Sequence, residues 1–205
     1  DPVAQKAVWE IPQETYWNAG TLTTAGNLVF QGRADGRLLA YDARTGDERW
    51  SFDAGLGISA PPITYMLDGK QFVSLLVGFG GGYSALGGQD AADLGWSYRA
   101  QTRRLVTFSL DGSAEMPAQP PPLVPQPIAA DFVVDAGMAE AGRLLFERAE
   151  IEGYCWACHG MEAIAGGAAP DLRASAAVLD AEAFDRIVRG GALTSNGMPR
   201  FADLT

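Results

Sequence analysis

The residues best suited to cofactor chemistry in this chain of 205 residues are its two cysteines and its single histidine. All three fall within the pentapeptide Cys155–His159, whose sequence is Cys-Trp-Ala-Cys-His. Two thiols separated by two residues can form thioethers with the two vinyl groups of one haem, and the adjacent histidine can then bind the iron as its proximal ligand. The motif therefore predicts covalent haem c, attached through Cys155 and Cys158 and ligated by His159.

Three other uses of this motif fit the rest of the sequence less well. A structural zinc site needs about four ligands, and the chain has no further cysteine or histidine. A thioredoxin-like redox pair opens a helix after a strand in a β-α-β pattern, which the flanking residues lack. A structural disulfide between residues three apart would close a small and strained loop. Haem attachment is the favoured interpretation.

An electron-transfer haem usually has a second axial ligand on its other face, and methionine is a common one. The chain has five methionines, Met66, Met116, Met138, Met161 and Met198. Met161 follows His159 too closely to cross the ring, whereas Met198 lies 39 residues after it in the turn sequence Asn-Gly-Met-Pro. This context is unlike a core helix, so Met198 is the predicted second iron ligand, with an ordinary core methionine as the alternative.

A proline-rich segment divides the chain into two unlike parts. Six of the twelve prolines lie in residues 117–127, a density typical of an extended spacer between domains. We expect an all-β part over residues 1–112, a linker over 113–130 and an all-α part over 131–205.

The residues after the spacer have helical periodicity. Apolar side chains share one face of residues 136–150 at the i, i+3, i+4 interval. A second helix is predicted from about Asp180, a suitable N-cap, to Gly190 and Gly191. Helix, haem motif, loop, helix and methionine turn follow one another in that order.

The residues before the spacer predict short strands separated by Gly and Asp turns. The predicted strands cover residues 28–31, 37–42, 48–53, 63–67, 71–77 and 105–110. Asp68 and Gly69 predict a tight hairpin between two of them.

Charge and hydropathy exclude two classes of partner. The net charge is −10, which argues against nucleic acid because phosphate binding needs a basic face. No apolar run approaches the roughly 20 residues that span a bilayer. Residues 131–205 carry 6 basic and 12 acidic side chains. This charge would attract a basic acceptor, although a solvated acidic surface is its commoner meaning.

The second part of the chain resembles the class I cytochromes c. The resemblance lies in Gly142 and Phe146, the haem motif with its following Gly160, Pro170-Asp-Leu, and Gly-Met198-Pro. It implies that the Pro170 carbonyl accepts a hydrogen bond from the ring of His159 and fixes its tautomer. It also implies a further C-terminal helix over the first one, without which the first helix keeps an exposed apolar face.

The whole chain resembles the soluble quinohaemoprotein alcohol dehydrogenases, most specifically in residues 16–32, 67–73 and 78–82. Residues 36–50 look like the tryptophan docking motif of quinoprotein propellers, in which Trp50 would contact the next blade. The resemblance implies an eight-bladed propeller that holds pyrroloquinoline quinone (PQQ) and calcium, followed by a tethered cytochrome c. A blade takes about 40–50 residues, so the resemblance implies about two terminal β-propeller blades over residues 1–112 and a cytochrome c domain over 131–205. The expected fold class is an all-β propeller fragment followed by an all-α domain, both truncated, within an internal fragment of a longer protein.

The glycine loop at residues 78–82 has two interpretations. By resemblance it closes over PQQ, with Gly82 near the cofactor, although Phe79 stands where the family more often has tryptophan. The alternative is a tight strand-to-loop turn, since glycine allows close approach of either ligand or backbone. The catalytic Asp and the calcium ligands would lie outside this chain, and neither Asp35 nor Asp42 is expected to be the base.

The expected function is that of an enzyme fragment. In the parent, an alcohol would reduce PQQ, and this portion would relay electrons through haem c to an external acceptor, which could be a small cytochrome, a copper protein or a quinone. The alternative is a haem c module fused to a non-catalytic propeller. Arg173 and Arg200 are candidate partners for the haem propionates, and haem attachment implies the periplasm.

Overall fold

The computed structural model describes residues 1–15, 17–78, 87–98, 103–118, 133–147, 155–165 and 169–204. Strands fill the first part of the chain and helices the second. The expected order, a sheet-rich part followed by a helical part, is confirmed.

The first sheet is antiparallel and has four strands in sequence order. The strands are β1 (Thr21–Thr23), β2 (Leu28–Gly32), β3 (Arg37–Asp42) and β4 (Glu48–Asp53). Gly36 and Gly46 occupy the turns on either side of β3 with φ of 95° and 79°, a region open to glycine at little cost. The Gly turns predicted from the sequence are therefore real chain reversals.

The second sheet has three antiparallel strands in the described residues, β5 (Ile63–Leu67), β6 (Lys70–Val77) and β7 (Arg104–Ser109). Asp68 and Gly69 join β5 to β6 with φ of 51° and 76°. Two positive φ values in a two-residue loop define a type I′ turn, whose twist matches that of the strands it joins. The predicted hairpin is confirmed.

The two sheets pack on each other through apolar side chains. Leu38, Ile58, Val77 and Trp96 are fully buried members of one core cluster. At its edge, the ring of Trp50 on β4 meets the ring of Phe108 on β7 edge-on, with centroids 5.4 Å apart. The expected contact of the docking tryptophan with the next sheet is confirmed.

The described residues form four helices. The short helix α1 (Gly88–Asp93) lies between β6 and β7, and α2 (Ala136–Glu147), α3 (Cys155–His159) and α4 (Ala181–Val188) follow β7. Short 3₁₀ turns lie at Met161–Ala163, Leu172–Ala174, Ala176–Leu179 and Thr194–Asn196. The Asp180 carboxylate accepts from the backbone N–H groups of Glu182 and Ala183, which confirms the predicted N-cap. The predicted α2 is observed to Glu147, and residues 148–150 lie outside the described residues.

The apolar face of α2 is exposed to solvent, as expected. Met138 is 75% exposed and Leu144 is 52% exposed. An apolar groove of about 590 Å³ lies between α2 and α4. It is lined by Leu145, Val178, Leu179, Ala181, Phe184, Asp185, Val188, Arg189 and Leu204. None of the predicted haem residues belongs to this lining. Across the described residues, no helix is long and apolar enough to span a membrane.

Candidate haem-attachment site

Helix α3 presents both thiols of the haem motif three residues apart, so they lie on neighbouring positions of one helical face. Both are free thiols. Cys155 is half-buried and Cys158 is exposed, and burial raises the pKa of the Cys155 thiol. The pair is thus open to one side and available for two thioether bonds to one ligand.

The orientation of the His159 ring is fixed by the following loop. His159 Nδ1 lies 2.8 Å from the carbonyl oxygen of Pro170. A carbonyl can only accept, so Nδ1 carries the proton, and in the neutral ring Nε2 is then the nitrogen with the free lone pair. The expected hydrogen bond to Pro170 is confirmed. A ring held in this tautomer fits an iron ligand, because Nε2 is the nitrogen that would bind the metal.

Gly160 ends α3 and turns the chain sharply. Its φ is 79°, and a Cβ placed there would lie 1.9 Å from the carbonyl oxygen of Ile164. Only glycine fits such an approach without moving the backbone. The two residues Glu162 and Ala163 also have positive φ, 56° and 61°, and the chain then buries Ile164. The haem motif therefore continues into a tight and partly buried turn.

This turn also contacts the sheet-bearing part of the molecule. Helix α1 packs against the 3₁₀ turn Met161–Ala163, and a Cβ on Gly88 would lie 3.8 Å from the carbonyl oxygen of Met161. Helix α1 also buries Ala91 in the same core cluster as Trp96. Helix α1 therefore connects the haem motif to the core between the sheets.

The loop after the haem motif is organised by Asp171, which is 6% exposed. Its carboxylate accepts from the Arg173 guanidinium at 2.8 and 3.1 Å and from the Arg173 backbone N–H at 2.9 Å. The hydrogen bond to Asp171 raises the pKa of Arg173. Arg173 thus stabilises Asp171, the residue that follows Pro170. The sequence predicts a haem propionate as the partner of Arg173 and does not predict this contact.

Met198 lies at the end of a second turn. The 3₁₀ turn Thr194–Asn196 ends at Gly197, which has a φ of 93°, and the Met198 N–H donates to the carbonyl oxygen of Leu193 at 3.3 Å. The side chain is half-buried. The structure thus unites Cys155, Cys158, His159 and Pro170 in one segment and its loop, and holds Met198 on a separate turn beyond α4.

Arg200 was the other candidate for a propionate. Its Nε donates to the backbone carbonyl oxygen of Arg189 at 2.8 Å, at the C-terminal end of α4. Sequence reasoning missed this contact. The one available signal was the glycine at position 191, because a Cβ there would lie 3.1 Å from the Arg200 side chain.

The candidate PQQ residue Gly82 lies outside the described residues, as does Phe79. Of the glycine loop, Gly78 is described: its N–H donates to the carbonyl oxygen of Gly57 at 2.9 Å, and its φ is 137°. Within the described ranges no group of three or more His, Cys, Asp or Glu side chains could hold a metal ion. We assign no calcium ligand to this chain.

Asp35 and Asp42, neither of which is expected to be the catalytic base, stabilise turns of the first sheet. Asp42 accepts from the backbone N–H of Arg44 at 2.9 Å and from the Arg49 guanidinium at 3.0 Å, and these bonds lower its pKa. Burial alone would raise the pKa of Asp35, but the hydrogen bonds from Arg37 lower it overall. Both carboxylates are occupied by structural partners.

Comparison with protein families gives two matches. Residues 2–73 match the family described as glucose/ethanol/alcohol dehydrogenase, beta-propeller domain. Residues 137–205 match the family described as cytochrome c oxidase, cbb3-type, subunit III. The first match covers the four-stranded sheet, β5 and the start of β6, and the second covers the haem motif and Met198.

Individual relatives match nearly the whole chain. Quinohemoprotein alcohol dehydrogenase ADH IIB of Pseudomonas putida is 43% identical over 99% of this chain and 28% of its own length. The dehydrogenase subunit of the quinone alcohol dehydrogenase of Gluconobacter oxydans is 40% identical over 98% of this chain and 26% of its own length. The chain therefore spans somewhat more than a quarter of the curated relatives it matches.

Solved structures agree with these relatives. Quinohemoprotein alcohol dehydrogenase ADHIIG from Pseudomonas putida HK5 is 41% identical with a TM-score of 0.77, and the match covers 100% of this chain and 28% of that one. The enzyme from Comamonas testosteroni is 38% identical with a TM-score of 0.73 at the same coverage. The expected fold class, a sheet-rich propeller part followed by a helical cytochrome c-like part, is thus confirmed.

Proposed function

We propose, on the premise that this chain is homologous to quinohaemoprotein alcohol dehydrogenases over nearly all its length, that it is the electron-relay portion of a PQQ-dependent alcohol dehydrogenase. Electrons from the reduced quinone would pass through a covalent haem c to an external acceptor. The observation that carries the proposal is the His159 ring bonded to Pro170, on a helix that holds two free thiols.

The proposed site has four protein groups. Cys155 and Cys158 would form the thioethers with haem, and His159 and Met198 would bind its iron. Haem c supplies a one-electron redox centre when it is bound. The proposed domain limits are 1–112 for the propeller blades, 113–130 for the linker and 131–205 for the cytochrome c domain.

The role of this chain's residues would be to hold the haem in position. Helix α3 sets the spacing of the two thiols, and the Pro170 carbonyl holds the His159 ring by its Nδ1–H. That hydrogen bond increases the basicity of Nε2 and so favours a firm bond to a metal. The contact between α1 and the turn Met161–Ala163 supports a fixed placement of the haem motif beside the propeller.

The remaining assignments follow from homology. PQQ and calcium would be held by the whole protein, with Gly82 as a candidate PQQ contact in this chain. The substrate would be an alcohol, and the acceptor a small cytochrome, a copper protein or a quinone. Haem attachment takes place outside the cytoplasm, which supports a periplasmic location. No residue of this chain is assigned as the catalytic base.

A haem-retention experiment tests the cofactor assignment. The chain is produced with c-type maturation in a periplasm and precipitated in acidified acetone, and the spectrum of the pellet is recorded. We expect haem in the wild-type pellet and none in the double variant Cys155→Ser, Cys158→Ser. Ala157→Ser, which adds a hydroxyl within the same pentapeptide, serves as the control and should keep its haem. Haem in the supernatant of the wild type would disprove covalent attachment.

A second experiment tests the relay itself. In the full-length dehydrogenase loaded with PQQ and calcium, an alcohol should reduce the haem of the wild type. The double cysteine variant should still reduce a dye that takes electrons directly from the quinone, but should fail to reduce a protein acceptor. If alcohol reduces neither the haem nor the dye, the chain belongs to a haem c module on a non-catalytic propeller.

A further inference from the structure

We propose that Arg200 is a positioning residue for Met198. It fastens residues 198–201, which we call the methionine turn, to the C-terminal end of α4. This attachment would strengthen the bond between Met198 and the iron. This inference rests on the proposed function, in which Met198 is the distal ligand.

The first observation is a pair of hydrogen bonds to the end of α4. The last carbonyl groups of a helix have no partner within it and take donors from elsewhere. Here the N–H of Phe201 donates to the carbonyl oxygen of Val188 at 2.9 Å, and the Nε of Arg200 donates to the carbonyl oxygen of Arg189 at 2.8 Å. Two successive residues of the turn therefore bind two successive carbonyls of the helix end.

The second observation is the close packing of the Arg200 side chain on Gly191. A Cβ at Gly191 would lie 3.1 Å from the Cβ, Cγ and Cδ atoms of Arg200. Three methylene carbons at one distance show that the stem of Arg200 runs along this glycine. Gly191 has a φ of 76° and donates its N–H to the carbonyl oxygen of Ile187 at 3.2 Å. The stem and its Nε are thus held by the same helix end.

Met198 lies between this attachment and another. Its own N–H donates to the carbonyl oxygen of Leu193 at 3.3 Å on one side, and Arg200 and Phe201 bind α4 on the other. A ligand on a segment held at both ends loses little conformational freedom when it binds, so its bond competes well with an external ligand. Release of one end should therefore weaken the methionine relative to that competitor.

Imidazole is a suitable competitor, because it displaces methionine from ferric haem c. We would titrate the ferric chain, with covalent haem, by imidazole and follow the near-infrared band of methionine ligation. Arg200→Ala should raise the affinity for imidazole by roughly three- to tenfold, the worth of one hydrogen bond. Arg186→Ala removes the same charge from α4, where it is paired with Glu182, and should leave the affinity unchanged.

The hydrogen bond from Arg200 to the carbonyl of Arg189 is here called the tether. Two further variants separate its effect from an effect of the Arg200 charge. Lysine keeps the positive charge of Arg200, but its Nζ lies one bond farther along the stem than Nε. Arg200→Lys should therefore resemble Arg200→Ala, and an affinity equal to that of the wild type would instead indicate a charge partner for a propionate and overturn the tether. Gly191→Ala, which encroaches on the stem, should also raise the affinity and carries the test if Arg200→Ala fails to retain haem.

The outcomes distinguish this inference from the one it rests on. If Met198→Ala loses the methionine band while Arg200→Ala matches Arg186→Ala, the ligation stands and the tether is wrong. If Met198→Ala leaves the spectrum unchanged, Met198 is not the ligand and both assignments fall.

Discussion

The sheet-bearing part and the helical part of this molecule are stabilised in different ways. In the first, both sheets bury apolar side chains in a shared cluster that includes Leu38, Ile58 and Trp96. In the second, the buried apolar side chains among the described residues are Ile164, Ala165 and Val188, and α2 buries none. The sheets thus have a core of their own, whereas the described helices surround little apolar volume.

This difference indicates which contacts stabilise the conformation of the haem motif. Its helix α3 has five residues, which is fewer than two turns and too short to be stable by itself. It is held by hydrogen bonds such as that from His159 to Pro170 and by the contact of its following turn with α1. A haem bound at this helix would add apolar surface that the helical part can cover.

The largest expected effect is on the sheet core. Leu38→Ala removes a fully buried side chain, and such a change costs about 2–5 kcal/mol. If the two parts are stabilised separately, urea unfolding monitored by the β-sheet circular dichroism signal should shift to a lower midpoint. The haem absorbance transition of the same sample should shift less.

Leu110→Ala is the matched control, because Leu110 is fully exposed and its loss should change neither transition measurably. An equal shift of both signals in Leu38→Ala would show that the two parts unfold as one cooperative unit. The comparison drawn above would then fail.

A smaller effect is expected at the turn after the haem motif. Gly160→Ala introduces both a positive φ for a side chain and a Cβ at 1.9 Å from a backbone oxygen. A non-glycine residue in this region costs about 1–3 kcal/mol, and the contact adds to that cost. We expect a clear fall in the yield of haem-loaded protein, measured as haem absorbance per mole of chain.

Gly69→Ala tests a positive φ without a close contact, whereas Gly160 also has a ψ of 158°, a region that glycine alone adopts readily. Gly69 has a nearly identical φ of 76°, with nothing within 4 Å of a Cβ, and lies in the β5–β6 turn. Its substitution should lower the free energy of unfolding less than Gly160→Ala and should leave haem loading intact. Equal effects of the two variants would mean that the approach to Ile164 is unimportant.

The smallest effect is expected at the start of α4. Asp180→Ala removes a carboxylate that accepts from two backbone N–H groups, a loss of about 1 kcal/mol. Thermal unfolding followed by circular dichroism should show a modest decrease in Tm. Asp180→Asn retains an acceptor and should stay close to the wild type, and a decrease equal to that of the alanine variant would indicate a charge effect instead.

Much of the fold could be predicted from the sequence because local signals agree with it. The Asp-Gly pair at residues 68 and 69 has the backbone geometry that its turn type demands. Asp180 caps the helix it precedes, and His159 meets Pro170 as the cytochrome pattern implies. In each case the residues that decide the structure are close together or belong to one motif.

The features that the sequence did not reveal depend on distant partners. Helix α1 begins at a glycine and is held by Ala91 in the core, so propensity gives no signal for it. The hydrogen bond from Arg200 to Arg189 joins a side chain to a backbone carbonyl, and any residue could supply that acceptor. Trp96 packs on Gly57, 39 positions earlier in the chain.

The turn Met161–Ala163 has a consequence for how the haem-binding shape is encoded. Two successive residues without a glycine, Glu162 and Ala163, adopt left-handed backbone, at a cost of roughly 1–2 kcal/mol each. Nothing in their side chains favours that choice, so the burial of Ile164 and Ala165 and the contact with α1 must offset it. A haem peptide excised around Cys155–His159 would therefore lose this conformation, because it would lack the contact with α1 of the sheet-bearing part.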